Sequence, residues 1–204
     1  EHISIANFYP EGTIISSGLS KWCGAGGWRL GTFTIPKEYD WLLNSMATIA
    51  SETFTSVSAP IQYAAVEAFR GNAEIDEYLL KSRQILKAVG LYVYNELKDM
   101  NITMPKPEGG FYLFPNFENH RSFLMRRGVR NNTDLCEVLL NETGVALLPG
   151  IAFGRSEKEL TARLSFVDFD GGKILELIRD GKVDSEWIPN IVNAMKRLND
   201  RLTY

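Results

Sequence analysis

Ser16-Ser17-Gly18-Leu19-Ser20-Lys21-Trp22-Cys23-Gly24-Ala25-Gly26-Gly27-Trp28-Arg29-Leu30-Gly31 is the stretch on which the reading of this chain turns. It is entered through Thr13-Ile14-Ile15-Ser16, a short β-branched run that suits a buried strand. A lysine just beyond a buried strand is costly as an ammonium and is driven toward the neutral, nucleophilic amine. Such an amine can form a Schiff base with a carbonyl. Eight residues on, Arg29 follows glycines whose bare backbone lets a ligand approach closely, and a guanidinium matches phosphate bidentately. The pattern leaves two readings open. In the plainer one Lys21 is solvated, Arg29 is a surface charge and the glycines are turns. In the other, a lysine for a carbonyl and an arginine for a phosphate point to pyridoxal phosphate. Nucleotide readings lose on spacing: Gly24, Gly26 and Arg29 fail G-x-G-x-x-G, and no G-x-x-x-x-G-K-[ST] occurs.

Outward from this stretch, residues 28–35 read as a second strand ended by Pro36, and residues 37–51 place Trp41, Leu42, Met46, Ile49 and Ala50 at helical spacing. Pro60 suits the first turn of a helix running to Gly71, because its missing N–H costs nothing there. From residue 74 to 100, Leu79, Leu86, Val89, Val93 and Leu97 share one helical face, with Gly90 as a weak point. Past Pro105 and Pro107 the chain becomes α/β again. Residues 111–114 form an aromatic strand, Asp134 caps a helix closed by Gly144, and residues 145–148 and 162–169 are strands. Helices over 172–179 and 186–202 finish the chain, the last burying Ile188, Ile191, Val192, Met195, Leu198 and Leu202. Strands near 111, 145 and 163, paired antiparallel or mixed under the helices, would make a compact α/β domain over residues 73–204. Residues 1–72 contain too few strands to close a core and read as the end of a larger domain whose earlier part is absent.

Composition sets the bounds. With 45% hydrophobic and 23% charged residues the chain is globular rather than disordered. A net charge of −3 offers no excess of positive charge for a phosphate backbone, which argues against nucleic acid as a partner. No apolar run spans a bilayer, and Glu1-His2-Ile3-Ser4 lacks the basic and apolar regions of a secretion leader, so a cytoplasmic protein is expected. Cys23 and Cys136 are too few for a disulfide framework and lack metal-site spacing; they read as free thiols, with no metal.

Four ordered stretches then carry a resemblance. Ser20-Lys21 with Arg29 inside Gly27-Trp28-Arg29-Leu30-Gly31 is similar to the cofactor-lysine signature of class I/II aminotransferases. Pro107 to Phe114 (PEGGFYLF), Val145 to Gly154 with Pro149-Gly150 and Phe153-Gly154, and Ala162-Arg163-Leu164-Ser165-Phe166 follow in the family's order. The resemblance covers essentially the whole chain but corresponds to the C-terminal half of a typical member. It implies the C-terminal part of the fold type I aminotransferase fold: a small α/β domain plus a remnant of the large domain.

By this resemblance Lys21 forms the Schiff base with pyridoxal 5′-phosphate and later shuttles a proton between the substrate's α-carbon and the cofactor. Arg29 holds the cofactor phosphate, and Arg163 forms a fork with the substrate's α-carboxylate. An arginine paired at the surface with Asp168 or Glu159 is the plainer alternative for Arg163. Many members carry a serine three residues before the lysine; Gly18 stands there, so Ser17, or Ser16, is left to supply a hydroxyl to the phosphate. The resemblance also implies a homodimer acting on an amino acid and a 2-oxo acid. The partners of the pyridine nitrogen and ring hydroxyl would come from the missing half, so the 204-residue piece alone is expected to turn over little. Rival readings are another reaction of the same cofactor, β-elimination or decarboxylation, and a non-catalytic binding remnant. The side chain of the donor amino acid stays open.

Overall fold

Gly18 and Gly31 face each other across an antiparallel hairpin, and from that pair the first part of the structure is built. The computed structural model describes residues 3–203; Glu1 and His2, which open the stretch read as lacking a leader, lie outside the described residues, as does Tyr204. Strand β1 (Ile15–Gly18) pairs with β2 (Gly31–Thr34), and between them lie the one-turn helix α1 (Leu19–Trp22) and a 3-10 turn at Gly26–Trp28. Two helices follow, α2 (Asp40–Thr53) and α3 (Ala59–Arg70), the latter with Pro60 in its first turn. Two expectations change here. The strand placed at 28–35 shortens to β2, because Gly26–Trp28 coils and Arg29 takes the left-handed conformation. The strand expected to be buried before Lys21 is not: Ile15, Ser16 and Ser17 are all exposed.

The 27-residue helix α4 (Ala73–Asp99) is continuous, and the chain divides into two compact units between Leu79 and Leu80, within it. Ile85, Val89, Val93 and Leu97 form its buried stripe. Gly90 does not break the helix; it is itself buried, in contact with the ring of Phe166.

The second unit continues with β3 (Tyr112–Leu113), α5 (Arg121–Arg126), α6 (Asn132–Thr143), β4 (Leu148–Pro149), β5 (Ala162–Ser165), α7 (Gly171–Leu177) and α8 (Pro189–Thr203). Its sheet runs β3-β5-β4, antiparallel at both junctions, so the expected three strands meet with the last one in the middle. Period-two alternation sets its two faces: Leu113, Ala162 and Leu164 are buried, while Tyr112, Arg163 and Ser165 point the other way. The cap of α6 is Asn131 rather than Asp134. Asn131 Oδ1 accepts from the Asp134 amide at 2.9 Å, and Asp134 returns a carboxylate oxygen to the Arg130 amide at 2.8 Å. The strand placed at 145–148 begins only at Leu148, with Val145 and Leu147 buried ahead of it.

The two units differ in how much they bury. Among the described residues, 26 buried apolar side chains, Phe117, Phe166 and Leu160 among them, form one cluster in the second unit. In the first unit the corresponding cluster is Leu19, Leu30 and Ala65, while Trp41, Ile49 and Tyr63 are 65%, 63% and 78% exposed. The α/β class read from the sequence is the class observed.

Candidate functional site

The hairpin of the first unit concentrates chemistry at its Gly18–Gly31 end. A Cβ on Gly18 would lie 2.8 Å from the Leu30 carbonyl oxygen, so this position has room for glycine alone while the strands stay paired. The chain leaves β1 directly into α1, buries Leu19 completely, and two residues later presents Lys21 at the surface. The glycine-rich loop is then folded back by two backbone bonds, Ala25 N–H to the Leu19 carbonyl at 3.1 Å and Trp28 N–H to that of Ala25 at 3.0 Å. It ends on Arg29 with φ 55° and ψ 44°. A non-glycine residue there is strained by roughly 1–2 kcal/mol, and such strain persists where the surroundings hold it. Arg29 Nη1 donates to the Gly26 carbonyl at 2.9 Å, which ties the guanidinium to the same loop.

Lys21, Arg29 and Ser17 are thereby brought to one open cleft of about 510 Å³, lined also by Ser16, Ser20, Trp22 and Leu30. Its donors are two cationic side chains and three hydroxyls, and no carboxylate lines it. That set suits a phosphate monoester beside a carbonyl, and so fits pyridoxal phosphate. The burial expected around Lys21 is not found within its own unit. β1 is exposed and so is Lys21, so the residues of this unit do not provide the low-dielectric surroundings expected of a buried strand.

Arg163 belongs to the second unit, where it occupies the central strand opposite Leu148. Its guanidinium carbon lies 4.2 Å from the centre of the Tyr112 ring and 4.6 Å from that of Phe153. Phe114 meets Phe153 edge to face at 5.7 Å. Neither surface ion pair considered for Arg163 forms: Glu159 is bridged by Arg155 at 2.6 Å, and Asp168 accepts from the Asn190 side-chain amide at 3.3 Å. The arginine is half-buried among aromatic rings rather than neutralised by an acid.

Sequence reasoning missed what surrounds Arg163. Tyr112 was legible in principle, since alternation along β3 and β5 puts it on the arginine's face. Phe153 was not, because it arrives on a 3-10 turn, Gly150–Phe153, that no periodicity announces. That turn is held by a third residue the sequence did not mark. Asn132 is completely buried; its Nδ2 donates to the carbonyls of Ser156 and Glu159 at 2.9 and 3.1 Å, and its Oδ1 accepts from the Ile151 amide at 3.3 Å. Elsewhere, among the described residues, no group of three or more His, Cys, Asp or Glu side chains is arranged to hold a metal, and no helix is long and apolar enough to cross a membrane.

The family described as "Aminotransferase class I and II" matches residues 2–178. Aspartate aminotransferase from Geobacillus stearothermophilus is 34% identical over 170 residues, which is 81% of this chain and 40% of that protein. Asparagine–oxo-acid transaminase from Streptococcus mutans is 35% identical over 155 residues, 76% of this chain and 36% of that protein. The crystal structure of an aromatic aminotransferase from Pyrococcus horikoshii OT3 is similar with a TM-score of 0.77 at 26% identity, covering 100% of this chain and 46% of that one. The chain thus spans about 40% of the length of the curated relatives it matches.

Proposed function

Because this chain belongs to the class I and II aminotransferases, we propose that the intact protein transfers an amino group between an amino acid and a 2-oxo acid, holding pyridoxal 5′-phosphate at Lys21, Arg29 and Ser17. The observation that carries this reading is the cleft in which one primary amine, one guanidinium and three hydroxyls converge.

When bound, the group supplies a carbonyl for amines and a ring that takes up the electrons of the substrate's α-carbon–hydrogen bond. Lys21 Nζ is the amine that would hold that carbonyl and, when free, would move the proton at the substrate's α-carbon, so that one group would serve as anchor and as general acid and base. Arg29 would pair with the phosphate through its guanidinium N–H donors. The Ser17 hydroxyl would donate to the same phosphate, position 18 having no room for a side chain against the Leu30 carbonyl. In the second unit Arg163 offers a planar fork to the substrate's α-carboxylate, fixing its plane as well as its charge.

The reading extends to the assembly. The 204-residue chain by itself turns over little, since no carboxylate lines the cleft to pair with the ring nitrogen and both Lys21 and Arg29 stand exposed. The intact protein is a homodimer of the cytoplasm: exposed Trp41, Ile49 and Tyr63 favour further covering surface in the assembly, and the two free thiols suit a reducing compartment.

Borohydride reduction of the cofactor-loaded intact protein, followed by peptide mapping, tests the core of this. A label on Lys21, lost in Lys21→Ala, is expected, together with formation of a new amino acid from an added 2-oxo acid. Label on another lysine overturns the assignment of Lys21; release of ammonia and pyruvate in place of a new amino acid overturns the transfer reaction.

A further inference from the structure

We propose that Tyr112 and Phe153 are positioning residues that set how tightly Arg163 holds a carboxylate ligand, an inference that rests on the reading of Arg163 just given. A half-buried guanidinium must be held by something. A carboxylate neighbour would do so by taking its N–H donors, and a substrate carboxylate would then have to displace it. Aromatic rings hold the cation through their faces and accept no hydrogen bond along its edge, so the fork stays available. Here the two rings lie 4.2 and 4.6 Å from the guanidinium carbon, and Glu159 and Asp168, the acids weighed as its partners, are engaged by Arg155 and Asn190.

The rings come from separate elements, each fixed independently. Tyr112 is placed by the β3–β5 register, where it faces Ser165, two residues along from Arg163 on the same side of the sheet. Phe153 is placed by the turn that Asn132 ties down, and Phe114 supports it edge-on. The arginine's orientation is therefore set before a ligand arrives, which lowers the entropy lost when the ligand binds.

The test is calorimetric titration of a 2-oxo acid into the cofactor-loaded intact protein, alongside KM and kcat for the same acid. Tyr112 and Phe153 are 38% and 40% exposed, so their truncation leaves the buried core unchanged, and melting curves verify this for each variant. Tyr112→Leu and Phe153→Leu are each expected to weaken binding by about 3- to 30-fold, with KM rising far more than kcat falls. Tyr112→Phe and Phe153→Tyr keep a ring and are expected to stay within about twofold. In an Arg163→Gln background, already weak, the leucine substitutions are expected to add nothing. Unchanged affinity in folded leucine variants, or equal losses with and without the arginine, overturns the positioning role while leaving Arg163 as the carboxylate ligand. Unchanged affinity in Arg163→Gln alone overturns the reading of Arg163 itself, and this inference with it.

Discussion

Gly90, in the middle of the longest helix, lies so close to Phe166 that a Cβ there would come within 2.9 Å of the ring's Cζ. Phe166 is 1% exposed and follows directly on the strand that carries Arg163, so the glycine makes room for the core beneath that strand. Gly90→Ala gains about 1 kcal/mol of helix propensity but overfills a closed site at a cost of about 1–3 kcal/mol. A net loss of stability is expected in urea unfolding, and a larger one for Gly90→Val. A stabilised alanine variant would show that the ring yields more readily than its burial implies.

The hairpin makes a similar statement about position 18. Gly18→Ser places a hydroxyl three residues before the lysine, where the family resemblance implies one, yet its Cβ would meet the Leu30 carbonyl at 2.8 Å. The substitution is expected to loosen the β1–β2 ladder and weaken cofactor binding, read by fluorescence titration, rather than add a phosphate contact.

Arg29→Gly separates strain from function. Glycine adopts φ 55° freely, which offsets loss of the bond from Nη1 to the Gly26 carbonyl, so stability should change by less than about 1 kcal/mol. Loss of a charge-assisted phosphate contact should weaken cofactor affinity by about 10- to 100-fold. Equal cofactor affinity in the two proteins would remove Arg29 from the site.

Asn132→Ala leaves two carbonyls and one amide without their buried partner, at an expected cost of about 3 kcal/mol. Because one of those bonds holds Ile151, affinity for a 2-oxo acid should fall as well, through the displaced ring of Phe153.

Burial pushes the Cys136 thiol up to about 11 from an ordinary 9.0. Since the folded state resists ionising this group, its contribution is complete below pH 9 and is lost as pH rises toward 11, by at most about 2–3 kcal/mol. Iodoacetamide at pH 8 should label Cys23, which is partly accessible, and reach Cys136 only on unfolding.

What the sequence made legible is what local periodicity controls. The buried stripes of α4 and α8 followed from helical spacing, with Val89, Val93, Leu97, Ile191, Met195 and Leu198 inside as expected. Strand limits slipped because the ends of these short strands are set by pairing partners distant in sequence: β2 starts three residues late, where Arg29 turns left-handed, and β4 is reduced to Leu148–Pro149. The cap of α6 was misplaced by three residues because Asn131 and Asp134 are both good cappers, and only geometry tells acceptor from reciprocal partner. Lys21, Arg29 and Ser17, singled out together from the sequence, line one cleft. Exposure around Lys21 was not legible, because burial depends on what packs above a strand and not on the strand's own β-branched residues.

The order β3-β5-β4 has a consequence for synthesis on the ribosome. The two outer strands share no ladder with each other, so Leu148 has no sheet partner until Arg163, and Tyr112 none until Ser165, has left the exit tunnel. Both edges wait for the same late insertion, and the arginine that would read the substrate enters with the strand that closes the sheet.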